Sequence, residues 1–255
     1  MFAAEEVLAL MQQYYWPFIR ISAMFLAAPV FGAASFPVRA RILLALSVTA
    51  LLAPSIPPAP EVDVLSFSGI LLAAQQAVIG LAMGFIVQVL FAAAVIAGQS
   101  LAMTMGLGFA MSVDPQNGVQ VPVLSQFYVI LATLVFLAVD GHLLMLQVMA
   151  DSFTLVPVGL FALSDTFPRD MALLGSGMFA SALLLALPAL TAVLLINIAF
   201  GVITRAAPQL NIFAVGFPVT IFAGFVFMLL SMPSVFVQFQ EMFGAGLEET
   251  LNLVR

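Results

Sequence analysis

The single histidine is the first residue of this chain that could do chemistry. His142 directly follows Asp140 and Gly141. An imidazole beside a serine hydroxyl could form a nucleophilic dyad, but the sequence does not show which serine would lie near it. The His-Glu-x-x-His pattern of zinc proteases is absent. Since Asp140 is too close along the chain to face His142 across two helices, we interpret these residues as the end of an apolar run, with Gly141 making the turn.

Ionisable side chains inside apolar runs are the next candidates, because ion-coupled carriers bury such groups in their membrane spans. Those in or near the runs are Arg20, Asp114, Asp140 and Asp151. Arg20 is the only clear charge within a run, which disfavours a proton relay. The uncharged polar residues in the runs are interpreted as interhelical hydrogen bonders. They are Gln75, Gln76, Gln88 and Asn197.

The composition indicates what kind of elements must hold these residues. The chain has 255 residues, of which 64% are hydrophobic and 7% charged. Soluble proteins have about 45–50% apolar and about 25% charged residues, so this is an integral membrane protein. With no cysteine and one histidine, disulfides, thiolate catalysis and most metal sites are excluded, and we expect no cofactor. Six arginines, no lysine and a net charge of -6 exclude nucleic-acid binding and a P-loop.

Six apolar runs approach or exceed the roughly 20 residues that a helix needs to cross a membrane. They comprise residues 17–35, 42–56, 69–97, 122–149, 171–203 and 212–237. Pro188, Pro218 and Pro233 lie inside or near the ends of these runs and favour kinks, because proline lacks a backbone donor. The sequence therefore predicts an all-α protein of about six long, kinked apolar helices.

The arginines predict the orientation of these spans. Arg39 and Arg41 lie between the first and second runs, and Arg205 lies between the fifth and sixth. With six spans, these two connections lie on the same side of the membrane, which the positive-inside rule makes the cytoplasmic side. Both termini are then predicted on the opposite side.

One connection, residues 98–122, is rich in glycine and methionine and too apolar for an ordinary solvated loop. Gly106, Gly108 and Gly118 permit backbone conformations that other residues avoid, and Asp114 before Pro115 favours a turn. Non-helical backbone at membrane depth occurs only inside protein or along a water-filled path. This segment is therefore the best internal candidate for a gate.

Gly80 and Gly84 form a Gly-x-x-x-Gly pattern in the third run. Small residues at this spacing let two helices approach closely. We expect the pair to pack against another helix of the chain or against another subunit.

Six short stretches form an ordered pattern that extends from the middle of the chain towards its end. They are residues 99–110 (QSLAMTMGLGFA), 113–115 (VDP), 135–142 (VFLAVDGH), 185–188 (LALP), 205–213 (RAAPQLNIF) and 216–218 (GFP). Each stretch is weak alone, but the ordered set closely resembles the FliR family, the flagellar biosynthetic membrane proteins of the type III export apparatus. The overall similarity runs from the first span to the last. The injectisome counterpart, in the same FliR/SctT family, shares much of this pattern.

The resemblance implies an architecture beyond what the apolar runs indicate. In this family, one copy assembles with several copies of FliP and FliQ into a conical export gate, and FlhA and FlhB are further membrane partners. The chain would consist of a FliP-like part at residues 1–165 and a FliQ-like helical hairpin at residues 166–255. Arg205, Pro208 and Gln209 would lie at the cytoplasmic tip of that hairpin.

The resemblance also implies that residues 106–117 form a plug in the central pore. The positions assigned to this plug are Gly106, Leu107, Gly108, Phe109, Met111, Asp114 and Pro115. The plug would be an apolar barrier to ions and water that yields to an unfolded substrate, since apolar constrictions close by dewetting. Gly106 and Gly108 would be the positions at which it bends.

Together these inferences predict a non-enzymatic subunit of the flagellar type III protein export gate. It would be a multi-pass protein of the bacterial inner membrane, within the flagellar basal body, with unfolded export substrates and membrane lipid as further partners. One alternative is the injectisome subunit, which has the same mechanism and different cargo. A second alternative, from another class, is a small-solute carrier, which would act alone or as a homo-oligomer with a solute site at the midplane.

Overall fold

The computed structural model describes residues 4–58, 60, 62–108, 123–159, 166–207 and 212–254. Within these residues the regular elements are seven α-helices and one 3-10 turn. The helices are α1 (Ala4–Ala27), α2 (Val38–Leu52), α3 (Phe67–Thr104), α4 (Val123–Ala138), α5 (Gly141–Leu155), α6 (Phe167–Ala206) and α7 (Ile212–Val254), with the 3-10 turn at Ala53–Ser55. The predicted all-α class is confirmed.

Four helical segments of the described chain are long and apolar enough to cross a membrane. They are Val38–Ser55, Phe67–Thr104, Phe167–Ala206 and Val215–Thr250. The pair α4 and α5 makes a fifth if its two helices count as one broken span. The predicted count of six spans is therefore not confirmed, since α1 is not among these segments.

Two predicted spans have the wrong boundaries. The first was expected to extend to residue 35, but α1 ends at Ala27. Ala28 precedes Pro29, and the residue before a proline is disfavoured in the α conformation, so the helix ends there. The fourth run, residues 122–149, is not one helix. It divides at Asp140, within the residues interpreted from the sequence as the end of an apolar run, and Asp140 takes a left-handed conformation with φ 55°.

Asp140 therefore makes the turn that was expected of Gly141. Gly141 instead begins α5, and Asp140 accepts backbone hydrogen bonds from Leu143 and Leu144 through its carbonyl oxygen. Aspartate is one of the few residues besides glycine that visit the left-handed region, because its side chain is short and polar. The sequence located the break correctly but assigned it to the wrong residue.

The prolines of the long helices do not end them. Pro188 lies inside α6, and Pro218 and Pro233 lie inside α7. Each lacks the N–H that would bond to the carbonyl four residues earlier. The helices nevertheless continue through all three positions, and the kinks expected there stay a prediction.

The predicted common side of the arginines depends on the pair α4 and α5 forming one span. Four crossings then separate Arg41 from Arg205, as in the six-span arrangement, whereas three separate them when only the four long helices are counted. The orientation stays a prediction. Arg41 has an additional structural role, because its guanidinium donates from Nε to Phe31 O (2.8 Å) and from Nη2 to Ala33 O (3.4 Å) between α1 and α2.

The described chain forms two units, each built from segments that are distant in sequence. The first unit takes residues 1–89, 140–175 and 243–255, and the second takes residues 90–139 and 176–242. This division follows packing rather than chain order. The FliP-like and FliQ-like parts at residues 1–165 and 166–255 stay a prediction.

The first unit is organised by one face of α1. Trp16, Arg20 and Met24, spaced four residues apart, are each 0% exposed. Residues at this spacing lie above one another on a helix, so they form a single buried stripe. The fully buried side chains of Leu72 on α3 and Phe153 on α5 add to the same core.

The second unit brings the last part of α3 close to α4. A Cβ at Gly98 would lie 2.6 Å from Ser125 Cα, so the two backbones meet where glycine leaves room. Ser125 Oγ donates to Val95 O (3.0 Å), which joins the two helices. The rings of Phe91 and Phe136 pack edge to face with centroids 5.7 Å apart. This packing orients the end of α3.

Candidate functional site

Helix α3 ends in a Schellman motif centred on Gly106. Leu107 N donates to Ala102 O and Gly106 N donates to Met103 O, both at 3.0 Å. Gly106 has φ 82°, the left-handed conformation that this type of cap requires and that glycine adopts without a steric penalty. The motif satisfies the carbonyls of Ala102 and Met103, so the chain leaves α3 in a defined direction at the start of the predicted plug.

The two glycines predicted as bending positions have different environments. A Cβ at Gly106 would lie 2.9 Å from Cε2 of the Phe217 ring, in a left-handed backbone conformation. A Cβ at Gly108 would meet only the flexible end of Met103, at Sδ. The structural requirement for glycine therefore falls on Gly106.

Asn197 joins the end of α3 to α6 and α7. Its Nδ2 donates to Thr104 O (3.1 Å), and Thr220 Oγ1 donates to Asn197 Oδ1 (3.2 Å). Asn197 was predicted to be an interhelical hydrogen bonder, and these bonds have that character. We call Thr104, Asn197 and Thr220 the Asn197 cluster.

A cavity of about 260 Å³ lies beside the Asn197 cluster. Its walls include Met105, Gly106, Phe200 and Phe217 as well as the three residues of the cluster. The apolar residues outnumber the polar ones, and every lining residue belongs to the second unit. The end of α3 therefore has unfilled space on one side.

The first unit contains a buried arginine that forms four hydrogen bonds. Arg20 Nε donates to Gln76 Oε1 (2.8 Å), and Nη1 donates to Ser152 O (3.0 Å) and Ser152 Oγ (3.2 Å). Nη2 donates to Val156 O (2.9 Å), and the guanidinium carbon lies 4.3 Å from the centre of the Phe153 ring. We call these residues the Arg20 cluster.

The position of the acceptors explains why a cation can be buried there. Ser152 O and Val156 O lie at the carboxyl end of α5, where the helix carbonyls carry partial negative charge. Ser152 O also accepts the backbone N–H of Val156, at 2.9 Å. Among the described residues, no carboxylate pairs with Arg20. The sequence showed that Arg20 lies in an apolar run but gave no sign of its partners. Gln76, also predicted as an interhelical hydrogen bonder, does join α3 to α1.

Gly80 and Gly84 lie where α3 approaches α1. A Cβ at Gly84 would be 2.6 Å from Met24 O and 2.7 Å from Ala27 Cβ, and one at Gly80 would collide with Arg20 O. The backbone of α1 occupies the space that side chains would need. The contact is within the chain, which is one of the two arrangements expected for this pattern.

The residues considered for catalysis do not converge in the described part of the chain. Asp140 is exposed, and His142 is partly buried with Nδ1 lacking a hydrogen-bond partner among the described residues. Within those same residues, no group of three or more histidine or acidic side chains could hold a metal ion.

Several predicted site residues lie outside the described residues. They are Phe109, Met111, Asp114 and Pro115 of the predicted plug, and Pro208 and Gln209 of the predicted hairpin tip. Arg205 is described and exposed in the last turn of α6, where a cation complements the partial negative charge of the helix terminus.

Fold and composition define a multi-pass, all-α membrane protein. The family described as bacterial export proteins, family 1, matches residues 11–246. FliR of Escherichia coli K12 is 39% identical over 232 residues, which cover 91% of this chain and 88% of that protein. FliR of Pectobacterium carotovorum is 40% identical over 88% of this chain and 85% of its own length, and FliR of Bacillus subtilis 168 is 32% identical over 98% and 97%.

The chain therefore belongs to the FliR family of bacterial export proteins, as the six stretches of its sequence predicted. It is a subunit of the flagellar type III export apparatus and a multi-pass protein of the bacterial inner membrane. The relatives named here are flagellar proteins, which favours the flagellar assignment over the injectisome alternative.

Proposed function

We propose that this chain forms part of the protein-conducting pore of the flagellar export gate, and that residues 106–117 close that pore. The observation that carries the proposal is the Schellman motif at Gly106. It ends α3 at the first residue of the predicted plug. A chain that leaves a long helix in a defined direction is suited to hold a barrier at one place in a pore.

The exposed apolar surface supports assembly with other membrane subunits. Of the most apolar 18 residues of each helix, 61% are buried in α3 but only 28% in α6 and 22% in the Val215–Thr250 part of α7. Phe222, Leu229 and Leu230 on α7 are 73%, 63% and 70% exposed. Apolar surface of this extent requires lipid or protein to cover it.

The partners proposed are those of the family. One copy of this chain would assemble with several copies of FliP and FliQ, with FlhA and FlhB as further membrane components. The long α6 and α7, with Arg205 at the end of α6, would form the FliQ-like hairpin and place Arg205, Pro208 and Gln209 at its cytoplasmic tip. Unfolded flagellar proteins would be the substrates.

The proposed role is conduction rather than catalysis. The buried ionisable side chain of the first unit, Arg20, is held by backbone carbonyls, Gln76 and Ser152. Such an arrangement stabilises a helix end and offers no site for a proton relay, which also disfavours the carrier alternative. The energy for export would come from other components, since the chain has no lysine and no P-loop.

The proposal is tested by deleting residues 106–109 in cells that express the complete export apparatus. If this segment closes the pore, the deletion lets ions leak, and a potential-sensitive dye should report a lower membrane potential than in cells with the complete chain. The matched control is the same deletion in cells that lack FliP, where no assembled pore forms and the potential should stay normal.

An unchanged membrane potential in the deletion strain, with the variant present at normal levels, would contradict the plug. A fall in potential that persists without FliP would indicate general membrane damage rather than an open gate.

A further inference from the structure

The Schellman motif at the end of α3 does not pair every carbonyl of the last turn. Its two characteristic hydrogen bonds use the carbonyls of Ala102 and Met103. Thr104 is the last residue of the helix, and its carbonyl would need a donor from the chain beyond the cap. Asn197 supplies that donor from α6 at 3.1 Å. A side chain distant in sequence therefore completes the cap.

Thr220 supports the orientation of the Asn197 amide that Thr104 O requires. A carbonyl oxygen only accepts, so Nδ2 must face Thr104 O, and Oδ1 then faces Thr220. Thr220 Oγ1 donates to Oδ1, which helps to hold the amide in this orientation. The three residues thus form a directed chain of hydrogen bonds from α7 through α6 to the end of α3.

Apolar side chains also hold the chain just after α3 against α7. The Phe217 ring lies against Gly106, and Met105 side-chain atoms lie 2.7–2.8 Å from where a Cβ of Gly224 would be. Met105, the residue after the end of α3, and the left-handed Gly106 are therefore both in contact with α7. The cavity of about 260 Å³ borders this contact, so these groups could shift into free space without displacing a packed core.

We propose that Asn197 is the positioning residue for the gate segment, and that Thr220 supports it by orienting its amide. Asn197 fixes the direction in which the chain leaves α3 at Gly106. When the bond to Thr104 O is broken, Gly106 and the chain that follows can take a second direction. That this change opens the pore rests on the proposed function. The change in the direction in which the chain leaves α3 does not.

The test replaces each polar partner by an apolar residue of similar size in the full chain, within the assembled apparatus. Asn197→Leu removes the donor to Thr104 O, and Thr220→Val removes only the hydroxyl that orients the amide. Thr191→Val is the matched control, because the Thr191 hydroxyl donates to Leu187 O and Pro188 O within its own helix.

Direction is measured as the distance between two nitroxide labels. Since the natural chain has no cysteine, Leu107→Cys and Leu195→Cys introduce the only labelling sites of this chain. Leu107 lies directly after Gly106, and Leu195 is 67% exposed on α6, so both labels belong to the second unit. Pulsed electron paramagnetic resonance then gives the distribution of distances. Leak is measured in parallel with the potential-sensitive dye.

We expect Asn197→Leu to increase the population of a second distance by about threefold to tenfold, the factor that one interhelical hydrogen bond is worth. Thr220→Val should shift it in the same direction by less, and Thr191→Val should leave it unchanged. The membrane potential should fall most for Asn197→Leu, less for Thr220→Val and not at all for Thr191→Val. The amount of each variant in the membrane should equal that of the natural chain.

A distance distribution unchanged by both Asn197→Leu and Thr220→Val would overturn the inference. If Asn197→Leu reduces the amount of protein, Thr220→Val decides alone, because it keeps the Asn197 amide and removes only the donor to its Oδ1, which weakens the hold on Thr104 O. A shifted distance without any leak, together with an unchanged potential on deletion of residues 106–109, would support the positioning role of Asn197 and contradict the proposed plug.

Discussion

The Arg20 cluster and the Asn197 cluster are two buried polar sites in a predominantly apolar protein, and they differ in charge and in packing. Arg20 is fully buried and donates four hydrogen bonds, two of them to carbonyls at the carboxyl end of α5. Asn197 is uncharged, donates one bond and accepts one, and borders a cavity. One cluster holds a helix end with a charge among fully buried side chains, and the other holds a helix end with an amide beside a cavity.

This difference indicates different mechanical roles. Breaking a buried charge network leaves several groups without partners in a medium that cannot solvate them, so the Arg20 cluster has only one tolerable arrangement. Removing one amide bond beside a cavity leaves fewer unpaired groups and room for their rearrangement. The first unit is thus built to stay fixed, and the second is built so that the end of α3 can shift.

The largest effect is expected when Arg20 is replaced. Arg20→Met keeps a long apolar stem but removes all four hydrogen bonds. Val156 O and Gln76 Oε1 lose the donor that they have among the described residues, while Ser152 O keeps the bond from Val156 N. We expect the free energy of unfolding in detergent micelles to fall by about 3–5 kcal/mol, with a lower protein level in membranes.

Arg39→Met is the control for the loss of a positive charge. Arg39 is exposed at the start of α2, so its replacement should change the free energy of unfolding by less than about 0.5 kcal/mol. If Arg20→Met and Arg39→Met lowered the free energy of unfolding equally, the buried hydrogen bonds of Arg20 would contribute no more to stability than an exposed arginine does.

A smaller effect is expected at the end of α3. Gly106→Ala places a Cβ in the left-handed region and 2.9 Å from the Phe217 ring, so we expect a loss of about 1–2 kcal/mol in the free energy of unfolding. Gly108→Ala meets only the end of the Met103 side chain, which can turn away, and should cost less than about 0.5 kcal/mol. Export measured in the same strains should fall for the first substitution only.

Gly106→Ala and Gly108→Ala form a matched pair because both residues were predicted as bending positions. If Gly108→Ala impaired stability and export as much as Gly106→Ala, the Schellman motif would not be the feature that distinguishes them.

The smallest effect is expected from Ser152→Ala. The Ser152 hydroxyl accepts one bond from Arg20 and donates to Met149 O at 2.7 Å, but the carbonyls of Ser152 and Val156 still bind the guanidinium without it. A loss of about 1 kcal/mol is expected in the same unfolding experiment. Thr154→Ala, which removes a hydroxyl bonded to Asp151 O on the same helix, is the control. If Ser152→Ala lowered the free energy of unfolding as much as Arg20→Met, the hydroxyl and not the carbonyls at the helix end would be the main partner of Arg20.

Much of the site near Gly106 could be predicted from the sequence, because its chemistry is local. The sequence indicated that Gly106 permits backbone conformations that other residues avoid, and the structure has a left-handed cap there. The run predicted to end at residue 97 was too short, since α3 continues to Thr104. Asn197 and Gln76 were recognisable as interhelical hydrogen bonders, because a polar side chain in an apolar helix needs a partner. Their acceptors and donors could not be identified, because the sequence carries no signal that pairs Asn197 with a carbonyl 93 residues away.

The class of this protein follows from its amino-acid sequence alone. Its apolar content and scarcity of charge require a membrane environment, and its ordered stretches identify the FliR family. Local backbone preferences also determined the cap at Gly106 and the break between α4 and α5, although the left-handed residue there is Asp140 and not the expected Gly141.

The hydrogen-bond partners of the buried polar groups are known only from the tertiary structure. Arg20 finds its acceptors 56, 132 and 136 residues away, and the first unit is assembled from three separate segments of the chain. Hydrogen bonds depend on direction and on separations of about 3 Å. They are therefore formed by the packing of helices against one another, whereas apolar burial depends mainly on composition and can be read along the chain.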